Sequence, residues 1–179
     1  IGTGHVDARV IRNGDVQTDG IRWDALPLRA ISDKEYERAK VHAGDIVLTT
    51  YGDCGVVAYV DEEPEEPTIA SNFVRLLRFD ETRINSRYAY HLMNSERFRW
   101  QLAPFIRGAT LQNLSLSKAV EEVGLPIPFP DDPRRSLAEQ KRIAAILDKA
   151  DALRKKRQRT PSLYRDLIVS RFYELFGDP

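Results

Sequence analysis

The sequence predicts an α+β fold: a mixed, irregular, β-rich α/β body, then a long C-terminal helix and a second, shorter helix. Three observations carry this expectation. Short β-rich runs separated by glycine fill the first part of the chain, and apolar residues fall into helical spacing from Ser86 onward. The proline run Pro126-Ile-Pro-Phe-Pro130 then delivers the backbone into a basic amphipathic segment beginning at Leu137.

Gly14 and Gly20 punctuate short strands at the start. Ser32 precedes Asp33-Lys-Glu-Tyr-Glu-Arg-Ala-Lys40 and reads as the cap of a short helix. Asp45-Ile-Val-Leu-Thr-Thr50 and Gly55-Val-Val-Ala-Tyr-Val60 are two strands joined through Tyr51-Gly-Asp-Cys54, a hairpin or tight loop. The acidic run Asp61-Glu-Glu-Pro-Glu-Glu66 reads as a solvated turn. Asn72 to Phe79 forms a further strand, with Phe73, Arg75, Leu77 and Phe79 on one face and Val74, Leu76 and Arg78 on the other.

Tyr88, Leu92, Ser95 and Phe98 predict one helix across Ser86–Leu102. A glycine-led polar loop, Arg107-Gly-Ala-Thr-Leu-Gln-Asn-Leu-Ser115, follows, then a short helix from Leu116 to Val123 that Gly124 closes. The prolines after it fix φ and disfavour helix. Ser136 and Glu139 next form a capping box, so the body is expected to span residues 1–133 and the helical region 136–177. Ile143, Ile146, Ala150, Leu153 and Arg157 recur at three- and four-residue steps, a coiled-coil seam that Leu147 widens. Thr160-Pro161 restarts the pattern, and Leu163, Tyr164, Leu167, Ile168, Phe172 and Leu175 give the second helix its apolar face. Such a stripe cannot be covered by its own helix and needs a partner surface.

The chain carries 27 basic and 27 acidic side chains, which argues against a protein that holds nucleic acid mainly by bulk charge. The charge is segregated, however. Between Arg134 and Arg159 stand ten Lys/Arg against Glu139, Asp148 and Asp151. No apolar run reaches the roughly 20 residues that cross a bilayer, and no signal-peptide pattern opens the chain, so a cytoplasmic protein without membrane partners is expected. Cys54 is the single cysteine, and His5, His42 and His91 lack ligand spacing; neither metal nor cofactor is expected.

Five segments in order resemble the specificity (S) subunits of type I restriction-modification systems: His42-Ala-Gly-Asp-Ile-Val-Leu48, Gly52-Asp-Cys-Gly-Val56, Gly108-Ala-Thr-Leu-Gln-Asn-Leu-Ser115, Leu125-Pro-Ile-Pro-Phe-Pro130 and Leu137-Ala-Glu-Gln-Lys-Arg-Ile143. The tail through Phe176-Gly-Asp-Pro179 is similar to the end of a specificity-subunit repeat. The resemblance implies one target recognition domain plus one conserved helical region, a half subunit or a fragment whose opening strand and helix lie upstream of Ile1. It implies a non-catalytic chain that reads one half of a bipartite target in double-stranded DNA. Methyltransferase (M) and restriction (R) subunits are the implied partners. The second recognition half would come from homodimerisation or from a longer chain.

Polar and aromatic residues in the glycine-flanked loops are the candidate DNA readers: Thr50, Tyr51, Arg107, Thr110, Gln112 and Asn113, with Arg12, Asn13 and Asn72 beside them. Arg pairs bidentately with guanine and Gln or Asn with adenine, each worth roughly 1–3 kcal/mol of discrimination. Thr110 and Asn113 equally suit side-chain bonds that close their own loop. Ile143, Ile146, Leu147, Ala150 and Leu153 are the candidate partner-helix residues, and Arg154-Lys-Lys-Arg157 is either a solvated face or a phosphate or partner contact.

Two other classes stay open: a helix-mediated adaptor without base readout, and the specificity module of a fused restriction enzyme. Pro130-Asp131 with Glu139-Gln-Lys141 spells a metal-dependent nuclease signature. On a helix, though, side chains two apart do not face each other. The Asn-Pro-Pro-aromatic motif of amine methyltransferases and the phosphate-binding Gly loop ending in Lys-Ser/Thr do not occur, so no enzyme activity is expected of this chain.

Overall fold

The computed structural model describes residues 4–177. Its elements run β1 (His5–Ile11), β2 (Val16–Gln17), β3 (Gly20–Ile21), β4 (Leu28–Ser32), α1 (Asp33–Ala39), β5 (Ile46–Thr49), β6 (Val57–Tyr59), β7 (Thr68–Ala70), β8 (Val74–Leu77), α2 (Ser86–Met93), α3 (Glu96–Leu102), β9 (Ile106–Arg107), β10 (Asn113–Leu114), α4 (Leu116–Glu122) and α5 (Pro133–Phe176). The chain divides into two compact units, residues 1–141 and 142–179. The α+β class read from the sequence is the one observed.

Two three-stranded sheets build the first unit. In one, β1 lies between β4, antiparallel, and β7, parallel; in the other, β5 lies between β6 and β8, antiparallel to both. Central β5 is buried on both faces, which its uninterrupted Ile46-Val-Leu48 run requires. Ile46 and Leu48 pack with Val57 and with Ala89, Met93, Phe98, Leu102 and Ala119 of the helices. Val47 points the other way, into a cluster with Ile11, Val16, Ala58 and Val74. A third cluster joins Ala8, Val10, Ile31 and Ile69 to Tyr36 of α1. The Ser32 cap of α1 forms as expected, its side chain accepting the Glu35 N–H. Asp45, just before β5, is buried and takes two bonds from Arg78 (2.6 and 2.9 Å) and one from the His42 N–H, so its carboxylate is paired and hydrogen-bonded.

Four expectations are corrected. The single helix across Ser86–Leu102 is two helices: Ser95 leaves the helical conformation, and its hydroxyl caps α3 by accepting the Phe98 N–H at 3.2 Å. Gly124 does not close α4; Val123 in extended conformation does, and the Gly124 N–H goes instead to Gln101 Oε1 at 3.3 Å. The last helix starts one turn before Ser136, because Pro133 suits a first helical turn and Asp132 Oδ1 accepts the Arg135 N–H. Ser136 is buried inside it and accepts from Gln140 Nε2 at 3.0 Å. The two helical stretches expected on either side of Thr160-Pro161 are present but joined in one helix of 44 residues. Thr160 does not cap: its hydroxyl donates back to the Lys156 carbonyl at 2.9 Å. The side chain of Leu163 lies outside the described residues.

Between Pro128 and Pro130, Phe129 is held at φ 46°, and the Arg135 guanidinium covers its ring at 3.7 Å. Tyr88 ties this proline segment to α2 by donating to the Pro126 carbonyl at 3.0 Å. No helix among the described residues is long and apolar enough to cross a membrane.

Candidate nucleic-acid interface

Register brings most of the candidate readers to one end of the two sheets. β1, β5 and β7 all run toward that end, where the loops after Ile11, Thr49 and Ala70 emerge. Short backbone bonds tie these loops together: Ser71 N–H to the Ile11 carbonyl (3.0 Å) and Thr50 N–H to the Phe73 carbonyl (2.9 Å). The β9–β10 hairpin, paired through Arg107–Asn113 and Ile106–Leu114, is clamped onto the same rim. Leu114 donates to the Thr50 carbonyl at 2.9 Å, Gly52 donates to the Gln112 carbonyl at 2.8 Å, and Tyr51 bridges Asn113.

Two glycines make this assembly possible. Gly108 sits at φ +103°, and a Cβ there would stand 2.2 Å from the Leu111 carbonyl oxygen. Gly52, at φ +71°, lets the Asn13 side-chain amide come close; a Cβ would meet Nδ2 at 3.3 Å. The hairpin tip is therefore a built loop held against the rim.

On it, Arg107, Thr110, Gln112 and Asn113 are exposed, as is Asn72, while Tyr51 and Asn13 are half-buried. Thr50 is different. It is buried, and its hydroxyl donates to the Phe73 carbonyl at 3.1 Å, so it braces the rim. Arg12 is also engaged. Its guanidinium makes two bonds to Asp15 (2.9 and 3.0 Å), and its N–H makes a third (2.9 Å). Burial alone would push the Asp15 carboxyl up, but Arg12, with Arg22 4.0 Å away, holds it below the usual range. Asn13 Oδ1 and Ser71 Oγ are buried at this rim without a hydrogen-bond partner among the described residues.

Sequence reasoning missed two rim residues. Phe73 is 50% exposed, its ring backed by Tyr51 at a centroid distance of 4.8 Å, and Leu111 at the hairpin tip is 61% exposed. The signal for Phe73 was its place on the same strand face as Arg75; for Leu111 there was none.

The second unit presents the other candidate surface. Ile143 is half-buried, while Ile146 (52%), Leu147, Ala150 and Leu153 (62%) are exposed along α5, as are Leu167, Ile168 and Phe172.

The family model described as the type I restriction modification DNA specificity domain matches residues 10–160. The chain belongs to this family. The match begins in β1 and covers both the rim of the specificity domain and most of its helix. Three solved structures share the fold. They are the S subunit of a type I restriction-modification system from M. genitalium (19% identity, TM-score 0.55), the HsdS subunit from Thermoanaerobacter tengcongensis (18%, 0.52) and a structure from work on complex assembly and conformational transition of the type I R-M system (16%, 0.58). The alignments cover 98%, 99% and 99% of this chain but only 43%, 44% and 44% of those chains, so the specificity domain with its helix spans less than half the length of the proteins it is similar to. No curated protein matches the sequence.

Proposed function

We propose that the body of this chain reads one half of a bipartite DNA target through the rim formed by Tyr51, Asn13, Asn72 and the 107–113 hairpin. The observation that carries the reading is the clamped hairpin: Arg107, Gln112 and Asn113 project from a backbone fixed by the Gly52–Gln112 and Leu114–Thr50 bonds. Base readout needs side chains whose positions are set before the duplex arrives, since ordering them on binding costs about 0.5–1.5 kcal/mol each. Arg107 suits guanine, and Gln112 and Asn113 suit adenine. Family membership supports the assignment of this role to the body. Thr50 supports the rim from beneath, and Arg12 contributes through Asp15.

The exposed apolar face of α5 serves assembly in this reading, recruiting methyltransferase and restriction subunits and positioning a second recognition half, from another copy or from a longer chain. It is also the observation that favours a second reading, in which the chain is an adaptor and the body reads no bases. One experiment separates them. Sequences are selected from a random duplex pool by the assembled complex, with the native body and with Arg107→Ala/Gln112→Ala/Asn113→Ala. Recognition by the rim requires the selected half-site to degenerate at two or three positions while the other half-site is kept. An unchanged half-site would leave the adaptor reading standing.

A further inference from the structure

The turn between β7 and β8 presents two unlike side chains at its tip. The Val74 N–H donates to the Ser71 carbonyl at 3.1 Å, which closes a tight turn and leaves Asn72 and Phe73 as its central residues. Both are exposed, Phe73 by 50%. A lone apolar side chain on a surface needs no explanation, but this one is braced. The Phe73 carbonyl accepts from the Thr50 N–H at 2.9 Å and from the Thr50 hydroxyl at 3.1 Å, and the Ser71 N–H fixes the start of the turn to the Ile11 carbonyl at 3.0 Å. Arg75 folds back on the turn, its guanidinium donating to the Asn72 carbonyl at 2.7 Å and to the Val74 carbonyl at 3.1 Å. The ring itself lies against Tyr51, tilted by 31° at a centroid distance of 4.8 Å. The turn therefore holds its amide and its ring side by side in fixed positions.

We propose that Asn72 and Phe73 act as one recognition element for an A·T pair, the Asn72 amide taking adenine and the Phe73 ring taking the methyl group of thymine. The inference rests on the DNA-reading proposal above and adds to it a residue and a base pair. Its basis is the chemistry of the major groove. Of the four unmodified bases only thymine offers an apolar group there, its methyl, while adenine offers the donor and acceptor that an asparagine amide meets with two bonds. Adjacent residues on one turn thus carry the two chemistries that set an A·T pair apart from a G·C pair. The bracing supplies the rest, because a ring already seated on Tyr51 and a backbone already bonded to Thr50 lose little freedom when a methyl group arrives. Apolar readout also asks for no cation, which suits a chain of net zero charge whose Arg12 is engaged by Asp15.

The test removes the methyl group from the DNA, so the fold of the protein is untouched. The half-site selected from the random duplex pool by the native chain in its assembled complex is resynthesised with uracil in place of each thymine, one position at a time. Uracil keeps every hydrogen-bonding group of thymine. One such substitution should weaken binding about fourfold, the worth of burying a single methyl group. In the Phe73→Ala complex that same substitution should have no effect, and selection should lose its preference for thymine at that position. Phe73→Leu, which keeps an apolar surface, should retain part of the sensitivity. A half-site without thymine on either strand overturns the inference, as does a uracil series in which no position matters or in which the sensitivity persists in Phe73→Ala. Those failures leave the rim reading standing so long as Arg107→Ala/Gln112→Ala/Asn113→Ala degenerates the half-site. A half-site that survives both Phe73→Ala and the triple substitution, or no selected half-site at all, overturns the rim reading and this inference with it.

Discussion

Gln140 and Asn85, 55 residues apart, are joined by a backbone N–H of Asn85 donating to Gln140 Oε1 at 2.8 Å, while Gln140 Nε2 donates to the Arg83 carbonyl at 3.1 Å and to Ser136 Oγ at 3.0 Å. Gln140 is fully buried, so the start of α5 is bolted to the turn before α2 by one amide side chain. Gln140→Leu keeps much of the volume and leaves two partly buried backbone groups, the Asn85 N–H and the Arg83 carbonyl, without this partner, each costing about 1–3 kcal/mol at most. Urea denaturation of the chain should show a loss of roughly 2–4 kcal/mol. A loss below about 0.5 kcal/mol, the range of an ordinary surface change, would mean that this bolt is not formed.

The hairpin tip makes a sharper distinction between glycines. Gly108→Ala places a methyl group against the Leu111 carbonyl at a positive φ, whereas nothing lies within 4 Å of a Cβ at Gly14. Gly108→Ala should lower the melting temperature and abolish selection of the half-site, at a cost of about 1–3 kcal/mol. Gly14→Ala should stay within about 0.5 kcal/mol of the parent.

Asp15 gives the body an acid-sensitive joint. Desolvation raises its pKa, but the bonds from Arg12 and the charge of Arg22 prevail, and the folded value lies below the unfolded one. The stabilisation is therefore complete above the unfolded carboxylate value of about 3.9 and is lost as pH falls through the lower folded value. Between pH 5 and 2.5, urea midpoints of the native chain should fall more steeply than those of Asp15→Asn, which lacks this titration. Parallel profiles would show that Asp15 is not held as an anion.

Leu153→Asp with Leu167→Asp tests the α5 face. Both side chains are more than 60% exposed, so unfolding of the body should change by less than about 0.5 kcal/mol. Assembly with partner subunits, or self-association measured by solution mass, should be lost. Retention of both would remove the helix from the interaction surfaces.

Local signals in the chain were read correctly where short-range forces decide. The β5–β6 hairpin, the Ser32 cap of α1, the helical character of residues 137–157 and the exposure of Arg107, Gln112 and Asn113 follow from alternation, capping chemistry and loop polarity. Readings failed where two chemistries competed within one segment. Ser95 has helical spacing with Tyr88 and Phe98, yet its hydroxyl serves better as a cap; Ser136 has the pattern of a cap, yet it meets Gln140 inside the helix.

By itself, then, the sequence determined the α+β class, the order of most elements, the apolar seam of α5 and the family, because each depends on residues near one another in the chain or on motifs in series. Only the tertiary structure decided which candidates stand exposed on the rim. Thr50 was turned inward by a carbonyl 23 residues away, Arg12 was claimed by Asp15, and Phe73 was left in solvent. Those outcomes rest on strand register, which is set by the summed packing of β1, β5, β7 and β8 and leaves no mark on any one of the residues it places.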